Sequence, residues 1–345
     1  MGRDQSLSAA TTAAGVQVEN LTKTYYPSPG WMKLLVRSNI KQPVHALDGI
    51  GFQVKPGEIC AVVGPNGAGK TTTFRILIGL TSSTTGSARV MGYDCGSESI
   101  KVRRLVGWMP AEDRSLIMRL SCAENLHFHG RLNGLSGEDL SRRIRDTLAK
   151  VGIAHAADSS VFALSAGMRA RLQLARALLH DPKVLILDEP TGSVDPVASH
   201  ELLNLIIETV EEQGLACLIS SHRLEEIEAL HSHAILLDRG QIRYDGDLDT
   251  LRGDLDRPSI EIEFASVDDA GRAAQEIKNP GLGESVRVDG TLLSCVLAPG
   301  VTIGRVLVAL EGLNDRVIHL REVQTPLRDL LAEMYRREST AEGTS

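Results

Sequence analysis

The chain has 345 residues, room for two or three domains, and at 42% hydrophobic it can bury a core although aromatics make up only 3%. A formal net charge of −7 argues against bulk nucleic-acid binding, and five cysteines without a C-x-x-C pair, Cys60 and Cys217 lying in apolar runs, read as core thiols of a reducing compartment. No apolar run nears the roughly 20 residues that span a bilayer and the N-terminus lacks a signal-peptide core, so any membrane work is expected to pass through a partner.

Residues 1–15 are rich in Ser, Thr and Ala and read as disordered. Met1-Gly2 with Ser6 fits only the loose myristoylation pattern, too short a match to carry an anchor. Val16–Leu21 is expected to be the first strand, leading to Lys23-Thr24-Tyr25-Tyr26. Tyr25 is a candidate to stack on a base, and packing at a strand end is the competing reading. Pro27 to His45 sets Trp31, Met32, Leu34 and Leu35 among Lys33, Arg37 and Lys41. It reads as a surface insertion, with an amphipathic element near lipid as the alternative. Ala46–Pro56 resumes as strand and turn.

Ile59–Val63 is a short apolar run of the kind found in buried parallel strands, and Phe74, Leu77 and Ile78 follow at helical spacing. Between them, Gly64 to Thr71 match G-x-x-x-x-G-K-[ST], the phosphate-cradling loop. The chemistry asks for these residue types. Gly64, Gly67 and Gly69 let the backbone curl so that its N–H groups converge on phosphate oxygens, and the helix N-terminus adds partial positive charge. Lys70 is expected to reach the β- and γ-phosphates, and Thr71 to offer its hydroxyl to Mg²⁺. The motif alone does not choose among kinases, GTPases and transport ATPases.

Residues 81–95 read as hairpin and loop, and Lys101–Leu164 reads as helical, with Glu124–Leu132 and Leu140–Val151 the best candidates. His127 and His129, two apart, fall on different helix faces, which argues against a metal pair. Leu164-Ser165-Ala166-Gly167-Met168 then leads into a helix over Arg169–His180. Ser165 suits its N-cap, and a Ser-x-Gly turn at a helix start makes a second phosphate-binding end. Lys183–Asp188 is an aliphatic run ending in acids, a buried strand that delivers carboxylates at its C-terminal tip, where open α/β sheets bind ligands. Asp188 suits Mg²⁺, and Glu189 suits a general base that orients water. Asp195-Pro196 opens another helix as N-cap and first-turn Pro. Leu215–Ser220 is a further strand, with His222 just past its end.

In this order the motifs resemble the nucleotide-binding subunit of ABC transporters, over roughly Val16 to Arg252. The aromatic is Tyr25. The phosphate loop is Gly64, Pro65, Asn66, Gly67, Ala68, Gly69, Lys70, Thr71 and Thr72. The signature is Leu164–Met168, the acidic strand Val184–Glu189, the Asp loop Ser193–Asp195 and the switch residue His222. The resemblance implies a head-to-tail dimer with two ATP molecules between protomers, Ser165 and Gly167 of one chain touching the γ-phosphate held by the other. It also implies Glu189 and His222 as catalytic residues, Asp195 at the nucleotide, and Thr71 with Asp188 at Mg²⁺. Two departures stand out. The signature is Leu-Ser-Ala-Gly-Met rather than the common Leu-Ser-Gly-Gly-Gln. The Gln usual at the boundary of the core and helical subdomains is missing from Val106–Ser115, where Glu112 and Asp113 are the polar candidates.

Asp238–Leu251 reads as a terminal hairpin of the first domain. Beyond it come a strand (Ser259–Phe264), an amphipathic helix (Val267–Lys278), two strands flanking Asp289-Gly290, a helix (Thr302–Leu313), a strand (Val317–Val323) and a last helix from Thr325 to Arg337. The order β-α-β-β-α-β resembles the small appendage on ATPase subunits of type-2 ABC exporters. The expected fold class is thus an α/β P-loop NTPase with a mixed sheet and a helical subdomain (about 101–164), spanning 16–252, plus a small α+β ferredoxin-like domain at 258–337 and a disordered tail at 338–345. The expected function is an ATPase subunit powering export. Its partners would be a transmembrane permease and a second copy or a paralogous ATPase subunit, not nucleic acid. Its place would be cytoplasmic, peripheral on the inner face of the cell membrane. The competing reading is a non-transport ABC ATPase of ribosomes or DNA, which usually carries paired ATPase units, coiled coils or zinc modules; none is seen in this sequence.

Overall fold

The computed structural model describes residues 14–27, 42–111, 115–221, 223–230, 233–248, 250, 259–298 and 300–323. Most of the 1–15 stretch read as disordered, most of the 27–45 insertion, Glu112, Asp113, His222, and the last helix with its tail lie outside them. The chain divides into two compact units, residues 1–247 and 248–345.

Two sheets build the first unit. Strands β1 (Val16–Tyr25), β2 (Val44–Val54), β4 (Thr85–Val90) and β5 (Tyr93–Asp94) form an antiparallel sheet in the order β2-β1-β4-β5. The central sheet runs β10-β9-β3-β8-β7-β6, from β3 (Ile59–Val63), β6 (Val106–Met109), β7 (Val184–Asp188), β8 (Ala216–Ser221), β9 (His233–Asp238) and β10 (Gln241–Asp247). All its pairings are parallel except β9 with β10. Strand β7, Val-Leu-Ile-Leu-Asp, is buried at every position, as a strand covered on both faces must be. One core joins the two sheets with helix α1 (Lys70–Leu77): Val16, Leu21, Phe52, Cys60, Phe74, Leu77, Ile186 and Leu218 all belong to it. The five cysteines are buried and free, and burial pushes the Cys217 thiol up to about 12.

Short α2 (Ser99–Leu105) precedes β6. Helices α3 (Cys122–Leu132), α4 (Gly137–Lys150) and α5 (Ala166–Leu178) pack on one another, and α5 also packs on β6. Helix α6 (Pro196–Gln213) links β7 to β8, and α7 (Leu224–Ala229) links β8 to β9.

Two sequence expectations need correction. The helical reading from Lys101 misses β6, which lies parallel to β7 with Val106 opposite Val184 and Met109 opposite Leu187. Four residues are too few to show a period, and the strand is marked only by Gly107, where a Cβ would meet the Ala177 carbonyl oxygen at 2.4 Å. The terminal hairpin runs over 233–247, not from Asp238, and turns at Arg239-Gly240, both with positive φ. That geometry suits a two-residue hairpin turn.

The second unit follows β11 (Ser259–Phe264), α8 (Val267–Lys278), β12 (Gly283–Asp289), β13 (Leu292–Leu297), α9 (Ile303–Ala309) and β14 (Val317–Val323). Its antiparallel sheet has the order β12-β13-β11-β14. This is the ferredoxin-like arrangement expected from the element order. Alternation in β11 sends Ile260, Ile262 and Phe264 to a core shared with Ala270, Ala273 and Ile277 of α8.

Candidate functional site

The register of the central sheet brings the candidate residues together. Val63 of β3 lies opposite Ser221 of β8, and Ser220 lies opposite Asp188 of β7, so three parallel strands end side by side. The Gly-rich loop leaves β3 at that edge and enters α1. At Gly64 a Cβ would sit 2.1 Å from the Leu237 carbonyl oxygen, and at Gly69 2.8 Å from that of Ala46. Gly69 also has φ of 115°, so a side chain there meets both crowding and strain. Pro65, Asn66 and Gly67 are exposed, and Ala68 is buried, its N–H donating to the Pro65 carbonyl at 3.1 Å.

Lys70 is 6% exposed, and its Nζ donates to the carbonyls of Gly64 at 2.6 Å and Pro65 at 3.2 Å. Burial lowers its pKa, while the charges of Glu189 and Asp188 pull the other way. The ammonium thus stands inside the loop's curve. Thr71 Oγ1 donates to Asp188 Oδ2 at 2.9 Å, and Ser220 Oγ donates to Asp188 Oδ1 at 2.7 Å. Ser220 Oγ in turn accepts from the Glu189 N–H at 3.0 Å. Hydroxyl, carboxylate, hydroxyl and the backbone of Glu189 form one chain across the strand ends. A hydroxyl beside a carboxylate fits a hard cation that draws its other ligands from phosphates and water. Among the described residues no group of three His, Cys, Asp or Glu could hold a metal by itself.

Glu189 has φ of 49°, a left-handed conformation uncommon outside Gly. It lines a cavity of about 150 Å³ with Met109, Ala111, Arg169 and Gln173. Thus α5 reaches from the Ser-x-Gly turn towards the proposed base. Ser165 caps α5, its Oγ accepting from the Met168 N–H at 3.2 Å. Gly167 has a packing reason to be Gly, since a Cβ would lie 3.1 Å from Ala198 Cβ of α6. Asp195 caps α6, accepting from the Ala198 N–H at 3.0 Å, with Pro196 in the first turn.

Tyr25 ends β1 opposite Val44, half-buried, with the Lys23 ammonium 4.9 Å from its ring centre. No side-chain hydrogen bond among the described residues ties it to the loop. Thr72 is half-buried in the first turn of α1. Sequence reasoning overlooks Ser220, although a polar pair, Ser220-Ser221, closing a buried strand is a signal that could have drawn attention to it.

A family model described as ABC transporter matches residues 47–192. The uncharacterized ABC transporter ATP-binding protein YxlF of Bacillus subtilis is 33% identical over 290 residues, 79% of this chain and 95% of that protein. The linearmycin resistance ATP-binding protein LnrL of the same organism is 33% identical over 227 residues, 66% of this chain and 67% of that protein. Among solved structures, cbiO1 of Clostridium perfringens, part of the ABC transporter complex cbiONQ, has a TM-score of 0.60 at 26% identity, covering 70% of this chain and 92% of that one.

Proposed function

The chain belongs to the ABC transporter ATP-binding proteins and is an ATPase, and from this premise we propose how its residues share the work and whom it serves. The observation that carries the reading is the hydrogen-bonded chain Thr71–Asp188–Ser220–Glu189 beside a loop that already holds an ammonium. Gly64 to Thr72 cradle the triphosphate with converging N–H groups, and Lys70 moves from the loop carbonyls to the β- and γ-phosphates. Thr71 and Asp188 hold magnesium, which supplies charge neutralisation at the phosphates when bound. Glu189 takes a proton from the attacking water, and His222 completes the catalytic set. Tyr25 stacks on the adenine.

ABC ATPase subunits dimerise and serve membrane permeases. For this chain the partner protomer is a second copy or a paralogue, placed head-to-tail so that Ser165 and Gly167 meet the γ-phosphate across the interface, with Asp195 near it. Among the described residues no helix is long and apolar enough to cross a membrane, and translocation is assigned here to a separate permease. Export is supported by the likeness to a resistance protein and by the ferredoxin-like unit. The chain would then sit on the inner face of the membrane through that permease.

The test is Glu189→Gln in purified protein. ATP turnover is expected to fall about 10²-fold or more, as removal of a general base does, with ATP still bound and the dimer accumulating on a sizing column. Turnover equal to wild type would remove Glu189 as the base. The membrane protein that co-purifies from detergent extracts identifies the permease.

A further inference from the structure

Glu226 lies in α7, outside the nucleotide chemistry described above, yet it is only 8% exposed. A charged group that deep needs several partners. It has them. Thr191 Oγ1 and Ser221 Oγ both donate to Oε2 at 2.7 Å, and Arg223 Nη1 donates to Oε1 at 3.2 Å. The Arg223 backbone N–H donates to Ser221 Oγ at 3.0 Å. Arg223 Nη1 also lies 3.5 Å from Ser199 Oγ, which donates to the Val194 carbonyl at 3.3 Å.

One carboxylate therefore gathers two stretches of chain. The first, Thr191 to Ser199, begins two residues after Glu189. The second, Ser221 and Arg223, flanks His222 on both sides in sequence. The first stretch needs an anchor, because Glu189 sits at positive φ, and such strain persists only where the surroundings over-determine it. The Gly192 N–H donates to the Glu189 carbonyl at 3.1 Å, and the Val194 N–H to the Thr191 carbonyl at 3.0 Å. These bonds close the turn on itself. The Thr191 hydroxyl is its buried side-chain tie to α7, since Thr191 is 2% exposed and its partner is Glu226.

We propose that Glu226 is a positioning residue for ATP hydrolysis: through Thr191 and Ser221 it holds the strained turn that carries Glu189 and the chain on either side of His222 in one fixed relation. The proposal rests on Glu189 being the base. It goes further in assigning the base's geometry to a group that is bonded to the turn and not to Glu189 itself. The competing explanation is a buried cross-link that serves stability alone.

Steady-state ATP turnover of the purified full chain separates the two. Thr191→Val keeps the shape and deletes the hydroxyl. It is expected to lower kcat by about tenfold to a hundredfold, as a small misplacement of a reacting group does, with KM for ATP within about twofold. Thr191→Ser restores the donor and is expected to restore kcat. Glu226→Met, which removes every acceptor of that carboxylate, is expected to lower kcat at least as far as Thr191→Val, and adding Thr191→Val to it to slow it little further, because the Thr191 tie is already cut. Wild-type kcat in Thr191→Val overturns the proposal. So does a loss that Thr191→Ser fails to recover, or one shared equally by kcat and KM. If Glu226→Met does not fold, the Thr191 pair decides. A wild-type chain without turnover, or an active Glu189→Gln, counts against the parent reading. An inactive Glu189→Gln with an unaffected Thr191→Val counts against this one alone.

Discussion

His233 opens β9 and contacts a carboxylate with each ring nitrogen, Glu58 Oε1 from Nδ1 at 2.8 Å and Asp245 Oδ1 from Nε2 at 2.5 Å. Only the imidazolium can donate from both. Desolvation, the largest single effect, pulls its pKa down, but the hydrogen bonds and charges of Glu58 and Asp245 together leave it raised. A raised folded-state value means this clamp contributes fully below the unfolded pKa of about 6.5 and fades as pH rises through the folded one. The melting temperature lost in His233→Gln should therefore be largest near about pH 6 and shrink towards about pH 9. A loss independent of pH would show that the ring acts by packing. At this scale the site was partly legible. Lys70, Thr71 and Asp188 stand out because their neighbours form ordered motifs. Ser220, Thr191 and Glu226 do not, because a lone Ser, Thr or Glu is common everywhere and its value here comes from a partner more than thirty residues away, Asp188 for Ser220 and Glu226 for Thr191.

The starts of α5 and α6 can be read from Ser165 and Asp195, whereas the sequence reading starts α3 at Glu124, inside the cap that the structure shows at Ser121. Ser121 and Glu124 form a reciprocal cap on α3: Ser121 Oγ accepts from the Glu124 N–H at 3.1 Å, and Glu124 Oε2 accepts from the Ser121 N–H at 2.8 Å. One turn on, Asn125 is fully buried, accepting from the Ile117 N–H at 2.8 Å and donating to the Ile117 and Ser121 carbonyls at 3.1 and 2.9 Å. Ser121→Ala should cost about 1 kcal/mol. Asn125→Leu leaves buried backbone groups unpaired and should cost more, about 3 kcal/mol. Denaturant titration checks the ranking, and an equal cost would mean that water replaces the amide. Strand β6 shows the opposite case. Its identity as a strand comes from pairing with β7 and from α5 pressing on Gly107, neither of which is local.

At the scale of the molecule, each unit has its own core, one around the two sheets and α1, the other around β11, β13 and α8. A chain ended at Arg252 should therefore keep the calorimetric transition of the first unit and its intrinsic turnover. If the ferredoxin-like unit helps dimerise the ATPases, the same truncation should weaken the dimer measured by sedimentation, and an unchanged dimer would count against that role. Most elements of the second unit follow the sequence closely because alternation, an Asp-Gly turn and a capped amphipathic helix are all short-range signals. The phosphate loop and the acidic strand are likewise local, since their chemistry demands consecutive residues. The order β10-β9-β3-β8-β7-β6, the alignment of three strand tips and the gathering of Thr191, Ser221 and Arg223 on one carboxylate belong to the folded state alone. Parallel strands pair across long crossovers, and which tips become neighbours depends on how every intervening helix packs, information that no single stretch of chain contains.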